Sequence, residues 1–148
     1  MIQLGHIEVS LPEEELFEAG EHDGTRFSGW NVSYEFEGAE WLEPAWSLIE
    51  SETGLEGRYE KATWVNVLKG AGAHVEEHRE GVEDTDYTVV LFLTDAIGGE
   101  LVIGEEIIHP EPGKFVVFPS KELHRVEPIG DCVRITAATL YRRKNGTS

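Results

Sequence analysis

The sequence predicts a mainly β chain folded as a jelly roll, with helices from its N-terminal third packed on one sheet. Three observations lead there. From Tyr59 onward, short β-branched and aromatic runs alternate with Gly, Pro and Asp turns, the pattern of antiparallel sandwiches and barrels. Those runs lie near 62–68, 74–79, 86–94, 100–103, 106–109, 114–119, 123–127 and 132–142, and eight short strands make two opposed sheets. The helix signals, by contrast, all precede Tyr59.

Residues 1–9 carry a few apolar positions and suit an edge strand. Leu11-Pro12 followed by carboxylates at 13–15 marks a helix start, because Pro fits the first turn and acidic side chains favour the positive end of the dipole. Gly20 ends that helix, and 20–29 form a loop by turn chemistry. Residues 30–36 alternate large apolar with polar side chains, as a half-buried strand does. Glu43-Pro44 opens a second helix with Trp41, Leu42, Ala45, Trp46, Leu48 and Ile49 as its apolar set, and Gly54 stops it. No internal repeat, linker or low-complexity segment interrupts the chain. The expectation is one domain over 1–148, with support elements in 1–59 and a jelly-roll core in 60–142.

At 148 residues the chain is long enough for a real core, and 40% apolar with 28% charged residues is an ordinary globular balance. The formal charge of -17 is not ordinary. It repels phosphate backbones and anionic lipid, so neither nucleic acid nor membrane is expected as a partner. It serves solubility, or attracts a basic protein. A single cysteine, Cys132, excludes an internal disulfide and suits a reducing, cytoplasmic setting. The first residues lack a basic flank and a long apolar run, so no signal peptide is expected. No apolar run approaches the length of a membrane span.

Four of the six histidines stand two residues before a glutamate: His6-Glu8, His74-Glu76, His78-Glu80 and His109-Glu111. In so acidic a chain that pattern means little alone, and context has to choose. His6 lies before the predicted barrel, and His109 is followed by Pro110 and lies too near His124 to leave room for intervening strands. His74 and His78 both follow the Gly70-Ala-Gly72 turn, and a spacing of four puts them on one face of a strand. His78-Glu80 is preferred because it straddles the strand's end, where side chains point at a barrel mouth. Residues i and i+2 of a strand face one side, so His78 and Glu80 converge on one ion while Arg79 faces away. His124 follows the strongest strand signal, Lys114-Phe-Val-Val-Phe-Pro119, and Arg134 lies ten residues beyond it. Two imidazoles and one carboxylate form the facial triad that leaves open positions on non-haem Fe(II).

In order and spacing these segments resemble the 2-oxoglutarate and Fe(II)-dependent dioxygenases, specifically their prolyl-4-hydroxylase-like branch. The residues that carry the resemblance are Gly70-Ala-Gly72, His78-Arg-Glu80, Thr88-Val-Val-Leu-Phe-Leu-Thr94, Gly98-Gly-Glu-Leu101, Pro110-Glu-Pro-Gly-Lys-Phe-Val-Val-Phe118, His124-Arg-Val-Glu-Pro128 and Arg134-Ile-Thr136. Together they span roughly 60–142. The resemblance implies a double-stranded β-helix (cupin-like) in which His78, Glu80 and His124 bind catalytic Fe(II). It further implies that Arg134 holds the distal carboxylate of 2-oxoglutarate, with a hydroxyl from Thr136 and ascorbate as a supporting reductant. A guanidinium suits that task because it stays charged and grips a planar carboxylate through two parallel hydrogen bonds. In the family's register Cys132, Arg134 and Thr136 face the pocket. Strand alternation puts Trp64, Asn66 and Leu68 on one wall and Thr88, Val90 and Phe92 on another. Asn66 and Thr88, the polar members, are weaker cosubstrate candidates, and structural hydrogen bonding within the sheet is their equal alternative.

The implied activity is hydroxylation of a C–H bond coupled to oxidative decarboxylation of 2-oxoglutarate. A prolyl residue of a peptide or protein, or a free amino acid, is the default target, and a small molecule or a basic protein is equally admitted. Three departures from the branch matter. Glu80 replaces the usual Asp, adding one methylene, Leu68 and Phe92 stand where tyrosines are common, and long substrate-cradling insertions are lacking. They favour, as the alternative, a non-catalytic cupin-like module that binds metal or ligand without turnover.

Overall fold

In each long strand of the chain, odd-numbered and even-numbered side chains serve different cores, as a period of two requires. Val65 and Val67, Val89 and Leu91, Phe115 and Val117, and Ile135 and Ala137 are buried in one cluster. Leu68, Phe92, Val116 and Phe118 are buried in another. One sheet therefore has two apolar faces, each covered by a different partner.

The computed structural model describes residues 2–8, 34–37, 42–79 and 87–142, with backbone alone at 34–37 and 59–62. The elements in chain order are β1 (Gln3–His6), β2 (Tyr34–Glu37), α1 (Glu43–Thr53), β3 (Arg58–Lys69), β4 (Val75–His78) and β5 (Tyr87–Phe92). They continue with β6 (Leu101–Ile103), β7 (Glu106–Ile108), β8 (Lys114–Pro119), β9 (His124–Val126) and β10 (Val133–Tyr141). The six-stranded sheet has the order β1-β8-β5-β10-β3-β2, and the four-stranded sheet β4-β9-β6-β7. Every pairing within them is antiparallel. The eight strands expected after Tyr59 are all present, and β1 and β2 extend the larger sheet at its edges. This is the jelly roll the turn pattern predicts.

Helix α1 covers the outer face of the larger sheet. Pro44 sits in its first turn, where its missing N–H costs nothing, and Gly54 closes it at φ 75°, a left-handed cap that glycine adopts without strain. Leu42, Ala45, Trp46 and Ile49 join the odd-numbered cluster. Leu48 does not: it is 41% exposed, because the helix turns that position away from the sheet. Polar contacts tie the helix to strand ends. Tyr141 Oη donates to Glu50 Oε2 at 2.8 Å, and Arg58 Nη2 reaches both oxygens of Glu43 at 2.9 and 2.7 Å. Burial first, and the Glu50 carboxylate second, push the Tyr141 hydroxyl well above its ordinary pKa. β3 starts at Arg58, earlier than the sequence suggests, because Tyr141 pairs with Arg58 across a β-bulge. Trp41, the expected first helix after Leu11 and the 20–29 loop lie outside the described residues, as do residues 30–33 of the expected strand. Among the described residues no helix is long and apolar enough to cross a membrane.

One end of the space between the sheets is stitched shut. Gly70 N–H donates to Cys132 O (3.1 Å), Gly72 N–H to Ile129 O (2.8 Å), and Ile129 N–H to Ala73 O (3.0 Å). From the other side Gly130 N–H donates to Ile97 O (2.8 Å) and Glu127 N–H to Glu100 O (2.9 Å). The segment 127–132 thus ties the Gly70 turn to the Gly98-Gly99 turn.

Trp46, at 1% exposure, is the largest side chain holding α1 to the sheet. Trp46→Ala should lower the unfolding free energy by about 3–5 kcal/mol in urea titration. A loss under about 1 kcal/mol would mean that the helix contributes little to the outer core.

Candidate metal and anion site

The even-numbered side chains of β3, β5 and β10 form the floor of a cavity of about 300 Å³ between the sheets. Register sorts that floor into rows. Arg134 lies opposite Leu68, Thr136 lies between Asn66 and Phe92, and Ala138 lies between Trp64 and Val90. The smaller sheet forms the roof, with Val75 opposite Val126 and Val126 opposite Leu101 in one row. In the next row His78 is opposite His124 and His124 opposite Ile103.

The two imidazoles meet because β4 and β9 pair directly. Their ring centroids are 4.3 Å apart with planes tilted by 56°, and His124 packs edge-on against Phe118 at 4.8 Å. Each ring is held by its own backbone. His78 Nδ1 lies 2.9 Å from Glu76 O, and His124 Nδ1 lies 3.0 Å from Glu122 O. A carbonyl only accepts, so Nδ1 carries the hydrogen, and Nε2 is the ring nitrogen that can offer a lone pair to a metal when the imidazole is neutral. Metal-binding histidines are oriented in this way.

His74 and His78 do not share a face. A register irregularity lies between Val75 and His78, so Val75 and His78 both line the cavity although they are three apart. His74 precedes the strand, with Nδ1 2.9 Å from Gly72 O, and does not line the cavity. Glu80 lies outside the described residues. His6 and His109 are elsewhere: His6 Nε2 is 3.0 Å from Pro112 O, and His109 Nδ1 is 3.7 Å from Glu100 Oε2.

At the closed end Arg134 is buried, at 2% exposure. Its Nε–H donates to Gly99 O at 2.9 Å, and its Cζ lies 5.4 Å from the centroid of the Phe92 ring. Among the described residues its terminal Nη groups have no hydrogen-bond partner. Burial lowers the guanidinium pKa to about 10, with Cys132 and Glu100 opposing the fall, so the group is still a cation at neutral pH. A buried cation lining a cavity is costly without an anion.

The other expected residues divide. Thr136 is 3% exposed and lines the cavity beside Arg134. Asn66 lines it too, and its buried Oδ1 has no hydrogen-bond partner. Thr88 reaches the wall, but its Oγ1 is 2.9 Å from Ser120 Oγ, so the structural alternative holds for that hydroxyl. Phe92 supports Arg134 instead of lining the wall. Cys132 stands before β10 and does not line the cavity: its Sγ accepts from Ile97 N–H at 3.4 Å.

Gly99 was not singled out from sequence, yet it seats the arginine. It has φ 70°, and a Cβ there would fall 2.9 Å from Arg134 Cδ and 2.8 Å from Ile129 Cγ2. The Gly98-Gly99 pair was the available signal, since adjacent glycines mark close backbone approach.

Comparison with known proteins gives a consistent picture. The profile described as 2OG-Fe(II) oxygenase superfamily matches residues 63–142. A PKHD-type hydroxylase of Rippkaea orientalis is 42% identical over 74 residues, a match covering 43% of this chain. The chain spans only about a third of that relative, 33% of its length. Among solved structures, the viral collagen prolyl hydroxylase of Paramecium Bursaria Chlorella virus-1 in its 2OG complex superposes with a TM-score of 0.69 at 16% identity, covering 97% of this chain and 96% of the other. A Pseudomonas putida prolyl-4-hydroxylase gives a TM-score of 0.69 at 18% identity, over 97% and 93%. A Trichoplax adhaerens prolyl hydroxylase in complex with a hypoxia inducible factor peptide gives 0.64 at 16%, over 87% and 74%. At these identities the superpositions speak to the fold.

Gly99→Ala adds a methyl group against Arg134 and Ile129 on a left-handed backbone. It should cost about 1–3 kcal/mol of stability in urea titration, the range for overpacking. Unchanged stability would mean that Gly99 is not a close seat for the arginine.

Proposed function

The chain belongs to the 2OG-Fe(II) oxygenase superfamily, and from that premise we propose that it is an Fe(II)- and 2-oxoglutarate-dependent hydroxylase. The observation that carries the reading is the shared cavity. Two backbone-oriented imidazoles stand in one roof row, and a buried guanidinium whose Nη groups have no hydrogen-bond partner among the described residues stands at the closed end.

The two imidazoles suit ferrous iron, since each has one ring nitrogen already engaged by backbone. His78 and His124 would hold the metal through Nε2, and Glu80, two residues beyond His78, would supply the carboxylate. Bound iron would supply the redox chemistry that splits dioxygen. Arg134 would hold the far carboxylate of 2-oxoglutarate through its free Nη groups, with Thr136 adding a hydroxyl and Asn66 a weaker contact. Buried apolar neighbours, Leu68 and Leu101 among them, exclude water, which strengthens that pairing. In the proposed reaction one oxygen atom enters a C–H bond, the other enters succinate, and carbon dioxide leaves. We take a prolyl residue as the default target, in keeping with the names of the prolyl hydroxylases that share the fold, and ascorbate as a candidate supporting reductant. A single thiol and a ferrous centre suit a cytoplasmic setting.

One observation favours a second reading. Leu68 puts an apolar group on the cavity wall where a hydroxyl donor would strengthen cosubstrate binding, which suits a cupin-like module without turnover.

Anaerobic titration with Fe(II) and then 2-oxoglutarate should give a weak visible charge-transfer band, and admitted oxygen should release succinate. Iron binding without succinate release would establish the module instead. His124→Ala should abolish iron binding. Arg134→Ala should spare iron and weaken 2-oxoglutarate by about 2–3 kcal/mol, roughly 30–150-fold. Equal affinity in that variant would remove Arg134 from the role.

A further inference from the structure

We propose that the edge of β7 docks an extended, basic segment of another polypeptide, which adds a fifth strand to the smaller sheet. β6 stands between this edge and the strands that carry the imidazoles, so the surface is separate from the cavity and independent of the hydroxylase reading.

The site follows from a mismatch between the two sheets. Taken in order, β8, β5, β10 and β3 of the larger sheet stack over β7, β6, β9 and β4 of the smaller, each on the strand that adjoins it in sequence. Ile108 of β7 and Val116 and Phe118 of β8 accordingly share the inner core. The larger sheet then continues one strand further, to β1, while among the described residues the smaller sheet stops at β7. β1 therefore overhangs that edge. Leu4 pairs with Val116, so both side chains face inward, and Ile2, two residues earlier, packs on the inner core. Leu4 is 55% exposed, because the smaller sheet ends short of it.

The backbone of β7 is ready for a partner. Ile103 and Glu106 flank the two-residue turn Gly104-Glu105 and form the hydrogen-bonded pair that closes it. Ile107 is one residue further, so its N–H and C=O turn away from β6. Its side chain alternates with buried Ile108, lies on the outer face and is 60% exposed. A strand bonded to Ile107 would lie about 4.8 Å beyond β7 and about 10 Å beneath β1. Its inward side chains would cover Leu4, and its outward ones Ile107.

Charge then narrows the occupant. Glu105 and Glu106 stand at the hairpin tip with no ion-pair partner among the described residues. Glu100 and Glu111 flank the other end, where Glu100 has His109 at 3.7 Å and Glu111 has Lys114 at 3.4 Å and His6 at 3.9 Å. A second copy of this chain, paired antiparallel at Ile107, would bring the Glu105-Glu106 tip of each against the Glu100 and Glu111 end of the other. Like charges brought together across a strand pair are destabilising, so these carboxylates guard the edge against self-association. The same carboxylates attract lysine and arginine, and the net charge of -17 adds to that attraction. The segment that fits has a few aliphatic residues at its centre, for Leu4 and Ile107, and basic residues on both sides. Main-chain bonds to Ile107 supply the strand addition, and the flanking charges supply selectivity.

The test uses the full chain and fluorescein-labelled synthetic peptides with a central run of valines. One peptide has lysines on both sides of the run, the second has glutamates there, and the third is the lysine peptide with its valine amides N-methylated. Fluorescence anisotropy should show the lysine peptide binding at least tenfold more tightly than either of the others. Ile107→Pro removes the N–H that faces away from β6 and leaves the β6 ladder its bonds. It should weaken the lysine peptide tenfold or more, and Glu105→Gln with Glu106→Gln should weaken it at least threefold. Equal affinity for the N-methylated peptide would reduce the effect to charge adhesion and overturn the proposal, as would an unmoved affinity in a folded Ile107→Pro. Absence of saturable binding by the lysine peptide overturns it too, and so does a dimer in sedimentation that Ile107→Pro disperses, since a second copy then holds the edge. If Ile107→Pro does not fold, the N-methylated peptide on the unaltered chain decides the matter alone.

Discussion

The pairing of β4 with β9 is the constraint on which the site depends. It places His78 directly across from His124, so residues 46 apart in sequence present rings 4.3 Å apart. A slip of one residue would turn either imidazole to the outer face of the sheet. The slip is prevented on both sides. The Gly70-Ala-Gly72 turn is bonded to the 129–132 segment, and β9 is pinned to β6 by its own ladder. The irregularity after Val75 then brings Val75 and His78 to the same face, adding one apolar wall and one imidazole to the cavity.

Arg134 is the second fixed point, and its energetics explain why the closed end is built as it is. Burying a guanidinium costs several kcal/mol, which a single hydrogen bond to Gly99 and the Phe92 ring beneath it offset only in part. Its depressed pKa is the sign of that cost. A fold that needed only stability would place an apolar side chain there. An anion carried into the cavity would complete the balance, and the free Nη groups are where it would bind.

Much of this was legible in the sequence because period-two alternation and Gly, Pro and Asp turns are local signals. The strands from β3 to β10, the cap at Gly54 and the shared face of Trp64, Asn66 and Leu68 follow from them, whereas the inward facing of Arg134 and Thr136 followed only from the family's register. What was misread was long-range. No local pattern announces that Ser120 will meet Thr88 across 32 residues, or that Ile97 will take the Cys132 sulfur. A bulge breaks the parity on which the His74 and His78 comparison relied. Leu48 belongs to an apolar helix by composition, yet the sheet it would meet lies on the other side. Gly99 was visible as part of a motif, but its partner was not, because a glycine's neighbours are set by the fold.

X-ray absorption at the iron edge, on the anaerobic protein loaded with Fe(II) and 2-oxoglutarate, tests the central claim most directly. The account predicts outer-shell scattering from two imidazole rings, falling to one in His78→Ala when enough iron is retained to measure. A spectrum without imidazole, or a ring count that His78→Ala leaves unchanged, would contradict it.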